Sequence, residues 1–369
     1  MTVFTNYPSW AVGRFGVPPA RVRSFTTHGI LTRTVPPALS GVTESSLHSL
    51  FGRWAAREVD KESWDIIHCW SGVSEELLTS HSRTGLTLLM RGSAHIATQS
   101  RLLREEAART GVALDQPSAW MIDRELREYA LADRIVVLST FARETFEQEG
   151  VPADKLSTLP LGVDVGAFRP SAEVVAERQR RILSGAPLQV LYVGALSYQK
   201  GLFDLGRIVE ALDGDRFRFT LVGPVTREAG QIVSALRGKA EIVGKVPQGE
   251  LPRLYERSDL FLFPTIQDGF AMVLTQAKAA GLPILTTSNS AGTDLITSGE
   301  DGWILPIRDS VAFERRLTWC HQHREVLAGI TQRVYDQFQP RDWAAVAADF
   351  DEICRDAMAQ RSPVAALTN

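Results

Sequence analysis

The sequence predicts an α/β protein with two domains, each built around a parallel sheet, and three observations lead to this class. The chain has 369 residues and a mass of 40.7 kDa, which is about two to three times the usual size of one domain. Short apolar runs rich in β-branched residues alternate with longer segments of helical spacing, as in α/β units around parallel strands. This alternation occurs twice, before and after a segment at 162–187 that is rich in glycine, proline and charge.

The first half of the chain contains six predicted strands and three predicted helices. The strands are placed at Val3–Thr5, Arg23–Thr27, Asp65–Trp70, Leu86–Met90, Arg134–Ser139 and Leu156–Leu159. The helices are placed at Arg101–Thr110, Ile122–Leu131 and Ala142–Gly150. The last helix ends in a glycine that a proline follows two residues later, which is a common stop signal. These elements predict a first domain over residues 1–170.

The second half repeats the pattern with six further strands. They are placed at Gln189–Gly194, Arg218–Val222, Glu241–Val243, Asp259–Pro264, Leu282–Thr286 and Gly302–Pro306. Helices are expected after the first and the fourth of these strands, and they predict a second domain over residues 171–341. A final helix over 342–360 has Trp343, Val346, Phe350 and Ile353 on one face. We expect residues 342–369 to return toward the first domain as this helix and a tail.

Composition and charge exclude several classes of function. A net charge of −3 and an isoelectric point near 6.2 argue against a nucleic-acid partner. Cys69, Cys320 and Cys354 are odd in number and far apart, so neither a disulfide framework nor a zinc site is expected. The sequence MTVFTNYPSW lacks the pattern of a secretory signal, and no window approaches the roughly 20 apolar residues of a spanning helix. A cytoplasmic protein is expected.

One loop of the second half, after the strand that ends near Val193, carries a candidate phosphate contact. Gly194 turns the chain there, and Lys200 and Gly201 precede a helix. Ligands bind at the carboxyl ends of parallel strands, where a lysine can meet a phosphate as a point charge. For this pattern taken alone, a solvated loop lysine beside a turn glycine is the alternative.

A second loop, after the strand at 259–264, places Asp268 and Gly269 before a helix that begins near Ala271. Gly269 lets the backbone approach a ligand closely, and the helix N-terminus offers unpaired N–H groups to an anion. Asp268 is placed either to hold a polar ligand or to cap the helix. As a bare pattern, the cap is favoured.

These two segments, Val190–Leu212 and Asp259–Thr287, resemble the donor-binding domain of the family 4 retaining glycosyltransferases of the GT-B type. In that family a glycine and an arginine follow the first strand, then Lys-Gly, and later an EGFG-like loop opens a Glu-x7-Glu motif. AGTDLITSGEDGWILPIRD (291–309) and STFARETFEQEGVPADKLSTLPLGVDVGAFRP (139–170) also resemble family segments, so the resemblance covers most of the chain. It implies the GT-B fold, in which two Rossmann-like domains with parallel sheets face an interdomain cleft.

The resemblance implies a donor site on the second domain for a nucleoside-diphosphate sugar as co-substrate, with no cofactor and no metal. Lys200 would contact the donor diphosphate, which Gly194 allows to approach closely. Asp268 would hold the transferred sugar, and Gln276 would face the ribose. The other implied donor residues act largely through backbone groups: Gly269, Phe270 and Ala271 beside the sugar, and Val243, Gly244, Lys245 and Val246 beside the base.

Three positions depart from the family pattern. Ala195 stands where an arginine is usual, so one of two cations that would neutralise the leaving diphosphate is missing. Asp268 replaces the first glutamate, and Gln276 replaces the second. A charge-assisted hydrogen bond is worth about 1.5–3 kcal/mol against roughly 0.5–1.5 for a neutral one, so the glutamine should cost about tenfold in binding. Another cation, such as Arg91 or Lys245, is a candidate to replace the missing arginine.

Polar and aromatic residues follow two strands of the first half, where they would face the interdomain cleft. The candidates for lining the cleft or contacting the acceptor are Trp70, Ser71, Gly72, Arg91 and Ser93. The segment 91–95 resembles the ERGS-type sequence motif of some family members. His95 is the candidate for contacting the donor sugar or the acceptor, and a cap on the next helix is the equal alternative. For Trp70 the alternative is core packing.

The segment before Glu58 carries an excess of basic residues. It holds a single acid, Glu44, and six arginines: Arg14, Arg21, Arg23, Arg33, Arg53 and Arg57. This excess suits peripheral contact with anionic lipid headgroups at the inner face of a membrane, or with an acidic acceptor. A solvated basic face is the alternative.

The combined interpretation is a retaining, metal-independent hexosyltransferase that moves a sugar from a nucleotide-sugar to a hydroxyl acceptor, such as a glycan, a glycolipid or a small-molecule glycoside. The predicted catalytic residues are Lys200, Asp268 and His95. In such enzymes the leaving diphosphate takes the acceptor proton, so positioning and charge stabilisation do most of the catalysis. The alternatives are a nucleotide-sugar hydrolase or epimerase, and a non-catalytic nucleotide-sugar or partner-binding protein.

Overall fold

The computed structural model describes residues 1–35, 40–80, 85–212 and 214–361. Over these ranges it contains twelve strands in three parallel sheets. The strands of the first half are β1 (Val3–Thr5), β2 (Val22–Ser24), β3 (Ile66–Trp70), β4 (Leu86–Met90), β5 (Arg134–Val137) and β6 (Leu156–Thr158). Those of the second half are β7 (Leu188–Val193), β8 (Phe217–Val222), β9 (Ala240–Gly244), β10 (Leu260–Phe263), β11 (Ile284–Thr287) and β12 (Gly302–Leu305).

Helices connect these strands in both halves. The first half has α1 (Ser9–Gly13), α2 (Thr26–Thr34), α3 (Ser40–Val59), α4 (Glu75–Leu78), α5 (Ile96–Thr110), α6 (Ala119–Leu131), α7 (Thr140–Gln148) and α8 (Val165–Phe168). The second half has α9 (Ala172–Leu183), α10 (Leu202–Ala211), α11 (Gly230–Ala235), α12 (Leu251–Glu256), α13 (Met272–Ala279), α14 (Gly292–Leu295), α15 (Ser310–Gln322), α16 (Arg324–Gln337) and α17 (Trp343–Arg361).

The main sheet of the first half has the order β3-β4-β5-β6, with all neighbours parallel. Every residue of β4 is buried, because helices cover both faces of such a sheet and select a continuous apolar run. The first two of the six predicted strands lie outside this sheet. β1 pairs only with β2 among the described residues, in a separate two-stranded sheet.

The sheet of the second half has the order β12-β11-β10-β7-β8-β9. The chain builds outward from β7 to β8 and β9, then crosses back so that β10 lies on the other side of β7. The loops that follow β7 and β10 therefore leave the sheet side by side and in opposite directions. In an open parallel sheet this reversal creates a crevice at the carboxyl ends of the strands, where ligands bind.

The segment 162–187, predicted as the connection between the domains, contains helices α8 and α9. On α9, Val175, Ile182 and the charged Arg178 are fully buried. The Arg178 guanidinium donates to the carbonyl oxygens of Ala280 at 2.7 Å and Tyr255 at 3.0 Å. This helix therefore packs into the second half. The partners of its arginine are backbone carbonyls of distant residues, which cannot be recognised from the charged residues in the sequence.

The final helix α17 packs against the first half of the chain. Val346 and Ala357 belong to the same buried cluster as Leu88 and Val136 of strands β4 and β5. The Phe350 ring lies 4.9 Å from the His68 ring on β3. The last eight residues of the predicted tail, 362–369, lie outside the described residues.

The element boundaries follow the predicted ones with a few shifts. The strand expected at Arg23–Thr27 ends at Ser24, because Thr26 already begins α2. Helix α5 begins at Ile96, one turn before the predicted Arg101, because His95 supplies its N-cap. In the described ranges, no helix combines the length and the apolar character needed to cross a bilayer. The predicted α/β class with parallel sheets is confirmed.

Candidate functional site

The loop after β7 is shaped so that Lys200 reaches the crevice. Ser197 caps a single 3₁₀ turn over Tyr198–Lys200, accepting from the Lys200 N–H at 3.3 Å. Gly201 follows with φ +78°, and a Cβ there would lie 1.9 Å from the Pro264 carbonyl oxygen. Because only glycine fits this contact, the Lys-Gly pair lets the loop after β7 pack directly against the loop after β10.

Lys200 and Asp268 form an ion pair at the centre of the crevice. The Lys200 Nζ lies 2.6 Å from Asp268 Oδ2, and the two side chains are 21% and 18% exposed. The other oxygen, Oδ1, accepts from the N–H groups of Phe270 at 3.1 Å and Ala271 at 2.9 Å. Asp268 therefore combines two roles, because it caps the loop before α13 and also faces the lysine.

A cavity of about 290 Å³ lies beside this ion pair and is named here the Lys200 cavity. Its lining residues come from both halves of the chain: Gly92, Leu138, Leu161, Val193, Gly194, Lys200, Phe263, Asp268, Phe270, Ala271, Met272 and Val273. Lys200 is the only basic side chain among these described lining residues. An anion that enters the cavity therefore meets one cation that is already paired with the Asp268 carboxylate, against largely apolar walls.

The two halves of the chain meet tightly at Gly269. A Cβ at this position would lie 2.3 Å from the carbonyl oxygen of Gly92. The Ser139 hydroxyl, at the start of α7, donates to the Gly269 carbonyl at 2.6 Å, and the Ser93 hydroxyl donates to Gln267 Oε1 at 3.0 Å. Ser93 therefore lies where the two halves meet, while its predicted role in lining the cleft or contacting the acceptor stays a prediction. Gly269 is required by backbone packing.

Ala271 has an unusual backbone conformation. Its φ is +62°, and it is the N-terminal flanking residue of α13. An L-residue in this left-handed region costs about 1–2 kcal/mol. Such strain tends to collect at functional loops. The sequence showed only an alanine in an EGFG-like loop, where the last position of the family wording is glycine.

The implied ribose and base contacts lie outside the Lys200 cavity. Gln276 is 5% exposed, and its Oε1 accepts from the Tyr255 hydroxyl at 3.0 Å. Gly244, at the end of β9, has φ +74° and accepts from the Gly223 N–H at 2.8 Å. None of the residues predicted beside the base lines the cavity in the described structure: Val243, Gly244, Lys245 and Val246. Their roles stay predictions.

Arg91 lines a neighbouring cavity of about 360 Å³, named here the Arg91 cavity. Its Nη1 lies 2.8 Å from Glu125 Oε1, and its Nη2 donates to Gln99 Oε1 at 2.6 Å. The guanidinium is therefore engaged within the first half of the chain. Lys245, the other candidate to replace the missing arginine, is exposed, so neither cation lies in the Lys200 cavity.

His95 occupies the helix-cap position that was the alternative to substrate contact. Its Nδ1 accepts from the Ala97 N–H at 3.3 Å, and its ring packs 5.0 Å from Tyr129 and 4.8 Å from Phe146. Burial lowers the pKa of His95 from 6.5 to about 4. The residue is 2% exposed and does not line either cavity, so its geometry is that of a neutral structural histidine.

The loop after β3 holds the remaining first-half candidates. Trp70 is 53% exposed, so its ring is not core packing. Ser71 and Gly72 both line the Arg91 cavity. The Gly72 N–H donates to Glu128 Oε2 at 2.5 Å, and Gly72 has φ +85°. Gly72 is thus a fixed bend in the wall of the cavity.

Two features of the site were missed by sequence reasoning. Gln267, directly before Asp268, is 0% exposed, and among the described residues its Nε2 has no hydrogen-bond partner. Glu128 on α6 accepts from three N–H groups of the loop after β3, those of Gly72, Ser74 and Glu75. Burial raises the pKa of Glu128 from 4.5 to about 7. Glu128 lies among other charged residues of α6, so the local sequence does not indicate that it binds a distant loop.

Two family descriptions match the chain, one in each half. Glycosyltransferase Family 4 matches residues 13–167, and Glycosyl transferases group 1 matches residues 187–323. Together they span most of the chain, and the order of the two matches is the order of its two sheets. The chain belongs to the family 4 glycosyltransferases.

The chain aligns with curated relatives over about half of each relative's length or somewhat more. The GDP-mannose-dependent alpha-mannosyltransferase of Mycobacterium tuberculosis (strain CDC 1551 / Oshkosh) is 30% identical over 211 residues, 57% of this chain and 52% of that protein. The D-inositol 3-phosphate glycosyltransferase of Corynebacterium glutamicum (strain R) is 25% identical over 258 residues, 65% and 62% of the two chains. The chain spans about half the length of several such relatives.

Solved structures share the fold at low sequence identity. Anabaena HepE in complex with UDP aligns with a TM-score of 0.65 and 14% identity, over 96% of this chain and 100% of that chain. The fold is therefore GT-B, with two Rossmann-like domains, as the resemblance implied.

Proposed function

We propose that the protein is a retaining glycosyltransferase that moves a hexose from a nucleoside-diphosphate sugar to a hydroxyl acceptor. One observation carries the proposal. A lysine and an aspartate from neighbouring strand ends, Lys200 and Asp268, meet at the reversal point of a parallel sheet beside a cavity of about 290 Å³. This is the place where such sheets bind ligands, and it lies in the half of the chain that matches the group 1 family description.

The reaction assigns a distinct task to each side chain. Lys200 binds the diphosphate and stabilises the charge that develops when the bond from the anomeric carbon to the phosphate oxygen breaks. Asp268, held by the N–H groups of its own loop, accepts from hydroxyls of the transferred sugar. The acceptor oxygen forms the new bond on the same face, and its proton passes to the leaving phosphate oxygen. No protein base and no metal are needed for this balance.

The proposal divides the work between the two domains. Residues 171–341 bind the donor, residues 1–170 bind the acceptor, and residues 342–369 return to the first domain. The Lys200 cavity supports this division, because Gly92 and Leu138 from the first half close a pocket whose charged groups come from the second half. The donor is the one co-substrate, and no further cofactor is assigned.

A peripheral membrane contact at the cytoplasmic face is part of the proposal. Trp10 is 63% exposed and Phe15 is 86% exposed, next to the basic segment. The Arg14 guanidinium lies 5.0 Å from the centre of the Trp10 ring. Exposed aromatic rings among arginines suit the interface of an anionic bilayer, where rings enter the headgroup region and cations remain at its surface.

A thermal-shift screen with UDP, GDP and ADP and their sugars tests the proposed donor site. A ligand that binds only the folded state at 100 times its Kd stabilises it by about 2.7 kcal/mol, and each kcal/mol raises the Tm of domains of this size by about 2–4 °C. We expect one nucleotide series to raise the Tm. Product analysis then separates transfer from the alternatives, because free sugar or an epimer without acceptor indicates a hydrolase or epimerase. Binding without turnover on a broad acceptor panel indicates a non-catalytic protein.

A further inference from the structure

The Arg91 cavity lies directly beside the Lys200 cavity. Arg91 lines the first and Gly92 the second, while Gln199 lines the first and Lys200 the second. Two pairs of adjacent residues, one from each half of the chain, are therefore shared out between the linings of the two cavities. The linings meet at residues 91–92 and 199–200.

The Arg91 cavity has an acidic character. Three carboxylates line it, those of Glu44, Asp115 and Glu125, against a single guanidinium, that of Arg91. Glu125 neutralises this cation at 2.8 Å. Among the residues that the structure describes, neither Glu44 nor Asp115 has a basic partner in the lining. Glu44 Oε2 accepts from the Ser118 hydroxyl at 2.5 Å, and Asp115 is exposed on the loop before α6. Like charges across such a site disfavour an anionic ligand.

The other lining groups suit hydroxyls. The His48 Nδ1 donates to the Gly72 carbonyl at 2.9 Å, because a carbonyl can only accept. Ser71, Gln116 and Gln199 add hydroxyl and amide groups that both donate and accept. Pro117 and Met121 provide apolar surface, which matches the C–H face of a sugar ring.

The wall of the cavity is held rigidly by α6. Arg124 is 1% exposed and donates from Nε to the Gly72 carbonyl at 2.9 Å. Glu128 is 0% exposed and accepts from the N–H groups of Ser74 at 2.8 Å and Glu75 at 2.9 Å. Arg124 Nε also lies 3.3 Å from Glu128 Oε1. A buried pair of this kind that fixes a surface loop preorganises the loop for a ligand.

We infer that the Arg91 cavity binds the acceptor, and that the acceptor is a neutral or amino sugar rather than a phosphorylated or uronic one. This inference rests on the proposed function, because the bound sugar would present a hydroxyl to the donor sugar beside Asp268. The carboxylates accept from its hydroxyl or ammonium groups and repel phosphate and carboxylate. The basic N-terminal segment then serves the membrane, and it does not select an acidic acceptor.

Three probes that share the glucose ring but differ in net charge test the inference: methyl glucoside, glucosamine and glucose 6-phosphate. Their binding to the full chain is measured by ligand-observed NMR, with and without the nucleoside diphosphate that the thermal-shift screen selects. We expect glucose 6-phosphate to bind at least about tenfold more weakly than methyl glucoside, because it must face two unbalanced carboxylates. Glucosamine should bind as well as the glucoside or more tightly.

A charge-neutral variant tests whether the lining carboxylates cause the discrimination. Glu44→Gln with Asp115→Asn keeps the shape of both side chains, and we expect the tenfold gap to fall to about threefold or less. Asp115→Asn alone, on an exposed loop position, keeps the test valid if the double variant unfolds. Glu352→Gln with Asp356→Asn, two exposed acids of α17, is the matched control and should leave the gap unchanged.

The outcomes separate this inference from the proposed function. Equal binding of the three probes, a preference for glucose 6-phosphate, or no binding of either uncharged or amino sugar overturns the inference. A gap that survives the double variant overturns it as well. If no nucleoside diphosphate binds but the three sugars bind in the expected order, the proposed function is wrong. The preference of the Arg91 cavity for neutral or amino sugars is then still supported.

Discussion

Lys200 and Asp268 balance each other's charge before any ligand enters the Lys200 cavity. The 2.6 Å ion pair holds the lysine at the cavity mouth, and the loop N–H groups of Phe270 and Ala271 hold the aspartate in turn. Under the proposed function, a diphosphate at Lys200 would displace one carboxylate oxygen, and the N–H contacts of the other oxygen would keep the loop in place. The single cation of the site is preformed, which lowers the ordering cost of binding.

Replacing Lys200 by methionine keeps most of the side-chain stem and removes the charge. Because a hydrogen bond to a charged group is worth about 1.5–3 kcal/mol, we expect nucleoside-diphosphate affinity to fall about 10- to 100-fold. Titration calorimetry measures this directly. Lys239→Met, at an exposed lysine 3.9 Å from Glu210, is the control and should bind normally. Unchanged affinity in the Lys200 variant would remove Lys200 from the site.

Ala271 offers a test of strain in the same loop. Its φ of +62° is a conformation that glycine adopts freely, so Ala271→Gly should stabilise the protein, by about 0.5–1 kcal/mol after the extra unfolded-state entropy of glycine. Ala277→Gly, in the interior of α13, should destabilise it by about 1 kcal/mol or more. Opposite shifts in Tm are expected. A lower Tm for both variants would contradict strain at Ala271.

The secondary-structure elements were predictable where a local pattern defines them. The buried run of β4 and the glycine that ends the loop after β7 each leave a clear trace in the sequence. Contacts between distant segments leave none: Ser93 bonds Gln267 across 174 positions, and Arg178 is buried among carbonyls of other elements. The loops after β7 and β10 could therefore be placed at strand ends, whereas the contacts at Gly269, the Arg91 cavity and the separate β1–β2 pair could not.

The cap of α5 predicts a pH dependence of stability. The His95 pKa is lowered by burial from 6.5 to about 4, so between these values the unfolded state binds more protons, and stability is lost as pH falls from 6.5 toward 4. His95→Asn keeps a good N-cap and should remove roughly 2–3 kcal/mol of this loss, measured by urea unfolding at pH 7 and pH 4.5. A loss between pH 7 and pH 4.5 that is equal in His95→Asn and in the wild type would contradict this assignment.

The N-terminal helix α1 and its flanks predict the membrane contact. Trp10→Ser with Phe15→Ser removes two rings that are 63% and 86% exposed, and we expect binding to vesicles rich in anionic lipid to fall at least about tenfold, since each buried ring contributes about 1.5–3 kcal/mol. Vesicle co-sedimentation measures it. Val311→Ser and Val326→Ser, exposed apolar residues of the second half, form the control pair. Binding that survives the double ring variant would assign the contact to another surface.

The two domains are joined by a buried charge network as well as by the seam at Gly269. Arg109 on α5 lies 2.5 Å from Asp204 on α10 and 2.8 Å from Glu106. Arg308, in the second half, reaches back to Glu106 at 3.0 Å. Glu106 and Asp204 are 0% and 1% exposed, so each carboxylate depends on an arginine for its charge balance. This network ties α5 of the first half to α10 and Arg308 of the second half.

Removing Arg109 should therefore affect stability and domain placement together. Arg109→Met leaves Asp204 buried without its partner, which costs about 3–5 kcal/mol, and the radius of gyration in small-angle scattering should rise as the domains separate. Adding Asp204→Asn should restore part of the loss, since the double variant has no unpaired charge there. Arg104→Met, an exposed arginine of α5, should change neither quantity. High salt should weaken the wild-type contact little, because buried pairs are poorly screened. If the single and the double variant lost the same amount of stability, packing of Arg109 on Phe203, and not the charge of Arg109, would join the domains.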